Sequence, residues 1–396
     1  MSKITILGIG ADGIDSLNKK ALQVLEQADI IFGSNRHLEM IDTNCETISW
    51  VSPFSDNIEI IKKHFIQNKN ILIIATGDVN WFGITNIIRK NFDNKKIQII
   101  TNISSISLSA IKMGWSLQDI TPITIHGRDI NDIITKIYDN AKLIILSHNK
   151  QSPIAVCEIL QKLKFGNSKI NILNNLGRSD KTIQEFQASS PQIATSDLNC
   201  IAVECKKNDN NNSLCPGLDD EDFINDGQLT KREVRAITIS SLQPYPNAIL
   251  WDIGAGSGSI SVEWCRLGGK SWAFETNETR YENIKQNSIN LGVKQKMQIH
   301  NCAINKYSGK LPIPDCIFIG GGITNINIEE LYEQLKSGGR MVINSISMQG
   351  QEIINNIYKK YGGDIIRINI ERNTKIGNFD SLRPMISVIH YTLKKD

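Results

Sequence analysis

Two α/β domains on one chain are what this sequence predicts, on three observations. Short apolar runs alternate with helical patterns through both halves of the 396 residues. A polar stretch, Lys206-Lys-Asn-Asp-Asn-Asn-Asn-Ser213, falls between the halves. Each half also holds a glycine-rich turn between a strand pattern and a helix pattern. At roughly 100–200 residues per domain, the length agrees with two.

In the first half, Ile4–Leu7, Ile30–Phe32, Ile71–Ala75, Ile97–Ile100, Leu143–Leu146 and Ile201–Cys205 read as strands. Ile14–Ala28 has apolar residues at helical spacing. Strand–helix alternation of this kind argues for a mostly parallel sheet. The polar stretch cannot bury enough surface to order itself, so it reads as a linker. The expected boundaries are 1–205, a linker at 206–215, and 216–396. In the second half, Ile249–Ile253, Ser271–Glu275, Met297–Ile299, Cys316–Ile319, Arg340–Ile343 and Ile386–Thr392 read as strands. Ser259–Leu267 and about 280–291 read as helices.

Composition removes several function classes. Lys and Arg exceed Asp and Glu by 44 − 41 = 3, and no basic run reaches five residues. Nucleic acid is therefore not an expected partner, although a small anion needs only a few local cations. The 8 cysteines form no C-x-x-C pair, and no metal-ligand set is visible. Scattered cysteines and a start, Met1-Ser-Lys3, that leads straight into a strand point to a cytoplasmic chain with reduced thiols. No apolar run approaches the ~20 residues of a membrane span.

The second glycine turn is the more informative. Trp251-Asp-Ile-Gly-Ala-Gly-Ser-Gly258 has the spacing G-x-G-x-G. Gly254, Gly256 and Gly258 let the backbone turn sharply and approach a ligand, and the next helix aims N–H groups at it. Asp252 precedes the glycines. Glu275 closes the next strand, about 20 residues on, where an acid would hold ribose hydroxyls. A purely structural turn and a nicotinamide dehydrogenase are the other readings. The glycine spacing counts against the latter.

Three segments carry a resemblance: Asp226-Gly-Gln-Leu-Thr-Lys-Arg-Glu-Val-Arg235, Leu250-Trp-Asp-Ile-Gly-Ala-Gly-Ser-Gly-Ser259 and Pro314-Asp-Cys-Ile-Phe-Ile-Gly-Gly-Gly322. With Leu335-Lys-Ser-Gly-Gly-Arg340, they resemble the C-terminal half of the precorrin-6Y C(5,15)-methyltransferase (decarboxylating) family. The resemblance implies a Rossmann-like class I methyltransferase fold. It also implies methylation of carbon-15 of a tetrapyrrole and loss of carbon dioxide from its ring-C acetate. Thr230 and Gly320 join Asp252, Gly254, Gly256, Gly258 and Glu275 as the implied cofactor residues.

The first turn, Gly8-Ile-Gly-Ala-Asp-Gly13, matches G-x-G-x-x-G, but the candidate acid, Asp29, stands before the second strand rather than closing it. A dinucleotide site is therefore disfavoured. This turn, Ala28-Asp-Ile-Ile-Phe-Gly-Ser-Asn-Arg36, Ala75-Thr-Gly-Asp-Val-Asn-Trp-Phe-Gly83, Ile103-Ser-Ser105 and His126-Gly-Arg-Asp129 occur in that order. Together they resemble the tetrapyrrole methylase family. That implies a class III fold of two α/β subdomains with the cofactor folded between them, and methylation of carbon-5. Gly8, Gly10, Gly77, Asp78, Ser104 and Ser105 are the implied cofactor contacts. Asp78 as a helix cap, Ser104-Ser105 as an N-cap pair and His126 as a structural histidine are the competing readings. Val79 stands where the family usually has proline, which would stiffen the loop.

The cofactor implied is S-adenosyl-L-methionine, at two sites per chain. The substrate implied is an anionic tetrapyrrole, with Arg36 and Arg128 in the first half and Lys231, Arg232 and Arg235 in the second as carboxylate partners. Ordinary solvated cations are the alternative at each position. Methyl transfer from a sulfonium asks for alignment and exclusion of water rather than a catalytic triad, and no triad is visible. The full reading is a homo-oligomeric enzyme of cobalamin biosynthesis that carries precorrin-6Y to precorrin-8X. A cobalt-containing ring, another methyl acceptor such as RNA or protein, and a non-catalytic first half remain as alternatives.

Overall fold

The computed structural model describes residues 3–81, 83–208 and 215–396. Residues 209–214 of the expected linker, Phe82 of the Gly-Asp-Val segment, and Met1 and Ser2 lie outside the described residues. The chain divides into two compact units, 1–130 with 136–212 and 131–135 with 213–396.

The first unit holds two sheets. Strands β1 (Ile4–Ile9), β2 (Ile30–Gly33), β3 (Glu46–Ser49), β4 (Ile71–Thr76) and β5 (Ile97–Ile100) form a parallel sheet in the order β3-β2-β4-β1-β5. Ile4, Ile6, Phe32 and Ile73 pack on one face, and Leu7, Ile9, Ile31 and Ile74 on the other. Burial on both faces is why these strands read as continuous apolar runs. Strands β6 (Ile120–Thr124), β7 (Lys142–Leu146), β8 (Lys169–Asn174), β9 (Thr182–Gln187) and β10 (Asn199–Glu204) form the second sheet, β6-β7-β10-β8-β9. Only β6 and β7 pair in parallel there. The expectation of a mostly parallel domain thus holds for one sheet and fails for the other, because β8 returns directly as β9 without a crossover helix.

The expected helix 14–28 is broken. Ile14–Ser16 is a single 3-10 turn, and the α-helix spans Lys19–Glu26. Ser16 causes the break: its Oγ accepts from Gly10 N at 2.8 Å and donates to Gly13 O at 2.7 Å. Asn18 then starts the helix afresh by accepting from Ala21 N.

The second unit has one seven-stranded sheet: β11 (Ile249–Ile253), β12 (Lys270–Phe274), β13 (Met297–His300), β14 (Cys316–Ile319), β15 (Arg340–Ser345), β16 (Asp364–Ile368) and, after a hairpin of β17 (Glu371–Ile376) and β18 (Phe379–Pro384), β19 (Val388–Lys394). The order is β13-β12-β11-β14-β15-β19-β16, parallel except for β19. The strand order reverses between β11 and β14, and the carboxyl ends of strands at such a reversal are where sheets of this kind bind ligands.

Arg235 binds this unit together. It lies on the helix Arg232–Leu242 and is 0% exposed. Its Nε donates to Glu263 Oε1 at 2.5 Å, and its Nη1 donates to Asp220 Oδ1 at 3.2 Å and to Thr230 O at 2.6 Å. Nη2 donates to Leu218 O, and the guanidinium lies over the Phe223 ring. Glu263, on the helix Ser259–Arg266, also accepts from Gly217 N and Leu218 N. One buried charge therefore fixes two helices and residues 217–230 against each other.

Both units carry a residue whose replacement should cost stability. Arg235→Met leaves Glu263 buried without its cation, and we expect it to destabilise the second unit by about 3–5 kcal/mol in urea unfolding. In the first unit, a Cβ on Gly8 would stand 1.9 Å from Gly77 O. Gly8→Ala should cost about 3 kcal/mol through overpacking. Hydrogen exchange of β1 and β4 amides reads that loss, with β11 and β14 amides as the unaffected reference.

Candidate functional site

The glycine turn of the second unit is assembled by backbone contacts from three strand ends. Gly254 N and Ala255 N both donate to Phe274 O at 3.0 Å, and Gly320 N donates to Ile253 O at 3.0 Å. Gly254 lies so close to the turn after β14 that a Cβ would come within 2.7 Å of Gly321 O. At Gly258, N-cap of Ser259–Arg266, a Cβ would come within 2.8 Å of Ile284 Cγ2. Gly256 differs. It has φ +60°, and a Cβ there would meet only Gln228 O, at 3.6 Å. The turn thus needs Gly254 and Gly258 for its own packing, while Gly256 is the glycine that faces open space.

Two acids flank this turn. Glu275 is buried, with Oε2 accepting from Gly256 N at 2.8 Å and Oε1 from Thr276 N at 2.8 Å and Asn277 N at 2.9 Å. A carboxylate has about four lone-pair sites, so one stays open on Oε2. Asp252 is fully buried. Its Oδ2 accepts from Ser261 N at 3.2 Å and Ser261 Oγ at 2.6 Å, while Oδ1 has no partner. Burial pushes this carboxyl up to about 6, the Ser261 bonds pull it down, and the Glu275 charge raises it further. An orphaned buried carboxylate oxygen is a polar group that calls for an explanation beyond the fold's own hydrogen bonds.

The other expected residues of this half fall in different places. Thr230 meets Arg235 through its carbonyl. Residues 226–230 run beside the turn and are pinned by Arg280 Nε on Asp226 at 2.7 Å. Arg235 is corrected: every nitrogen of its guanidinium is spent inside the unit, so it meets no ligand. Arg232 pairs with Asp219 at 2.8 Å on the surface. Lys231 is the N-cap of the same helix, half-buried, and forms no ion pair among the described residues. Sequence reasoning missed Glu263. The available signal was an acid inside the apolar helix Ile260-Ser-Val-Glu-Trp-Cys265, since a charge at a buried position demands a partner.

In the first unit a small cleft opens at the strand ends. Gly10, Gly77, Ser105 and Arg36 line it on one side, and Leu173, Leu176 and Leu198 on the other. The loop after β4 approaches the turn after β5 closely, with Asn102 N donating to Gly77 O at 3.1 Å. Gly8 makes room for this loop rather than lining the cleft. Asp78 accepts from Asn80 N at 3.0 Å, a local turn, whereas the next helix, Thr85–Asn91, starts from Ile84. Asp78 therefore does not cap that helix. Val79 is buried in the core, and its carbonyl accepts from Thr85 Oγ1 at 2.8 Å, so the loop is held without a proline. Ser104 is the N-cap of Ser105–Met113, accepting from Ser107 N at 2.9 Å, and the helix ends at Gly114. Arg128 and His126 are exposed and outside the cleft lining, and the His126 ring lies 5.3 Å from that of His148.

Arg36 is held by neighbours the sequence did not single out. Its Nη2 donates to Thr76 Oγ1 at 2.8 Å and to His37 Nε2 at 3.0 Å. Burial lowers its pKa, and the nearby Arg178 lowers it further. Among the described residues, no group of three His, Cys, Asp or Glu is placed to hold a metal ion. Among the described residues, no helix is long and apolar enough to cross a membrane.

Comparison with known proteins assigns each unit. Residues 3–191 match the family model of tetrapyrrole (corrin/porphyrin) methylases, and residues 221–395 that of the precorrin methyltransferase domain. A precorrin-6Y C(5,15)-methyltransferase (decarboxylating) of a Sinorhizobium species is 32% identical over 99% of this chain and 96% of its own length. Two shorter relatives each align with 43% of this chain. One is "Probable cobalt-precorrin-7 C(5)-methyltransferase" of Methanocaldococcus jannaschii, 31% identical over 88% of its length. The other is "Probable cobalt-precorrin-6B C(15)-methyltransferase (decarboxylating)" of Pyrobaculum aerophilum, 29% identical over 91% of its length. The full-length match, with two α/β units bearing the expected turns, places the chain in the precorrin-6Y C(5,15)-methyltransferase (decarboxylating) family, as an S-adenosyl-L-methionine-dependent methyltransferase.

Proposed function

We propose that this chain methylates precorrin-6Y twice and decarboxylates it, giving precorrin-8X, with one cofactor site in each unit. Carbon-5 is assigned to the first unit, carbon-15 and the ring-C acetate to the second. The observation that carries the second assignment is the pair of buried acids around Gly256, with Asp252 Oδ1 unanswered. The first rests on the Arg36 cleft, whose lining includes Gly10, Gly77 and Ser105.

S-adenosyl-L-methionine supplies a methyl group already activated on a sulfonium. Glu275 Oε2 and the open face of Gly256 would hold its ribose, and the Asp252 charge favours a cation at the turn. Arg36 and Lys231 are the cations proposed to meet ring carboxylates. In the first unit Leu173, Leu176 and Leu198 would keep water from a bound ring and so strengthen that pairing. Neither unit needs to move a proton to activate the donor. Placing the acceptor carbon is the main demand. Assembly into a homo-oligomer is part of the same reading. The two relatives named for cobalt-precorrins favour a cobalt-containing ring as the alternative substrate.

Mass spectrometry of the products tests this. Precorrin-6Y with the purified chain and cofactor should gain two methyl groups and lose carbon dioxide. Glu275→Ala should gain one methyl group, on carbon-5, and keep its carboxylate. If Glu275→Ala still releases carbon dioxide at the parent rate, the second unit is the wrong place for decarboxylation. Turnover of the cobalt ring alone would select the alternative substrate.

The Asp252 carboxyl gives a pH prediction. Its pKa is raised to about 6, so it loses its charge as pH falls through that value. Cofactor binding to the second unit should be constant above about pH 7 and weaken up to tenfold per pH unit below about 6. Calorimetric titration from pH 5 to 8 reads this dependence. Asp252→Asn should bind more weakly and show a flat profile.

A further inference from the structure

The cleft of the first unit presents a cation that the chain leaves without a counter-charge. Arg36 lines it, and among the described residues no carboxylate pairs with that guanidinium. Its orientation is nevertheless fixed. Nη2 donates to His37 Nε2 at 3.0 Å and to Thr76 Oγ1 at 2.8 Å, and Thr76 Oγ1 lies 2.9 Å from the same Nε2. A guanidinium only donates, so Nε2 is the acceptor and the imidazole proton sits on Nδ1. Ser34 Oγ, 2.9 Å from Nδ1, receives it. His37 is buried, and burial together with the Arg36 charge pushes its pKa down to about 4. A protonated Nε2 would set N–H against N–H and charge against charge, so the neutral tautomer and the observed Arg36 position require each other. With Nη2 spent, Nε and Nη1 remain for a ligand.

We propose that His37 is a positioning residue: in its Nδ1–H tautomer, locked by Ser34, it holds Arg36 as the carboxylate-binding group of this cleft. The proposal rests on the reading of the first unit as a methyl-transfer site. Two carboxylates share the required chemistry, that of a ring side chain and that of the amino-acid end of the cofactor.

The test uses the full chain and the kinetics of carbon-5 methylation, with carbon-15 methylation in the same reaction as reference. His37→Leu removes the acceptor at similar volume. His37→Gln restores one where Nε2 stood, and Ser34→Ala removes the lock on the tautomer. We expect His37→Leu to raise one KM about tenfold with kcat within about twofold, the size of one lost charge-assisted contact. His37→Gln should recover most of it, and Ser34→Ala should show a smaller rise in the same constant. A rise in the ring's KM identifies a ring carboxylate, and a rise in the cofactor's KM identifies the cofactor carboxylate. Equal impairment in Leu and Gln variants, or none in either while Arg36→Met is impaired, overturns the role of His37. If His37→Leu does not fold, the Gln and Ser34→Ala variants decide: an unchanged KM in Ser34→Ala together with an impaired Gln variant sinks the proposal. A parent chain that leaves carbon-5 unmethylated with either ring would instead defeat the underlying reading of the unit.

Discussion

Arg235 has no surface exposed to water, and burying it obliges the second unit to bring partners to it. A guanidinium offers five N–H donors in a fixed plane, so its partners are placed by direction as well as distance. Glu263 comes from one helix, Asp220 and the Leu218 carbonyl from the segment before Arg235, and Thr230 from its own N-terminal approach. The consequence reaches the glycine turn. Residues 226–230 are anchored at one end by Arg235 and at the other by Arg280, and Gln228 O lies nearest to open Gly256. Ser261, which holds Asp252, lies on the helix that carries Glu263. The buried ion pair thus registers both the acid behind the turn and the segment beside it.

The first unit solves the same problem without an opposite charge. Arg36 is half-buried and is steadied by a neutral imidazole and a hydroxyl instead of a carboxylate. Neutral acceptors orient the guanidinium but leave its charge unanswered, which costs stability and favours an anionic ligand. Arg235 and Arg36 are the two ends of a scale. The first has two acids and is wholly structural. The second has none and lines a cleft. Arg232, on the surface against Asp219, contributes little either way. Burial and counter-charge, rather than residue type, separate the arginine that packs from the arginine that keeps an unanswered charge in a cleft.

Those two quantities explain what was legible in the sequence. Strands buried on both faces, such as β1, β4, β11 and β14, announce themselves as apolar runs. Edge strands β3 and β9 and the hairpin β17–β18 are largely polar and exposed, and they exist because a neighbour supplies their hydrogen bonds. The pairing of the glycine turn with Glu275 was readable because it lies in local spacing, and Glu275 Oε2 does accept from Gly256 N. Arg235 was misplaced among the substrate cations because its partners lie 15 and 28 residues away. His37 was passed over because its role depends on Thr76, 39 residues distant, and on a tautomer that only the contacts define.

In the two glycine motifs, similar letters serve two kinds of physics. In the first turn Gly10 and Gly13 close on each other, with Gly13 N donating to Gly10 O at 3.2 Å, and Ser16 seals the loop. The next element is a 3-10 turn of 3 residues, so no row of helix N–H groups faces a phosphate. Gly8 is needed because the Gly77 carbonyl occupies the place of its side chain. These glycines let the chain approach itself. In the second turn Gly254 and Gly258 do likewise, but Gly256 has open space where a side chain would stand, and its N–H rests on the acid expected to take the ribose. The space that Gly256 frees is left empty by the protein, and that is a property of the packed backbone that spacing in a sequence cannot carry.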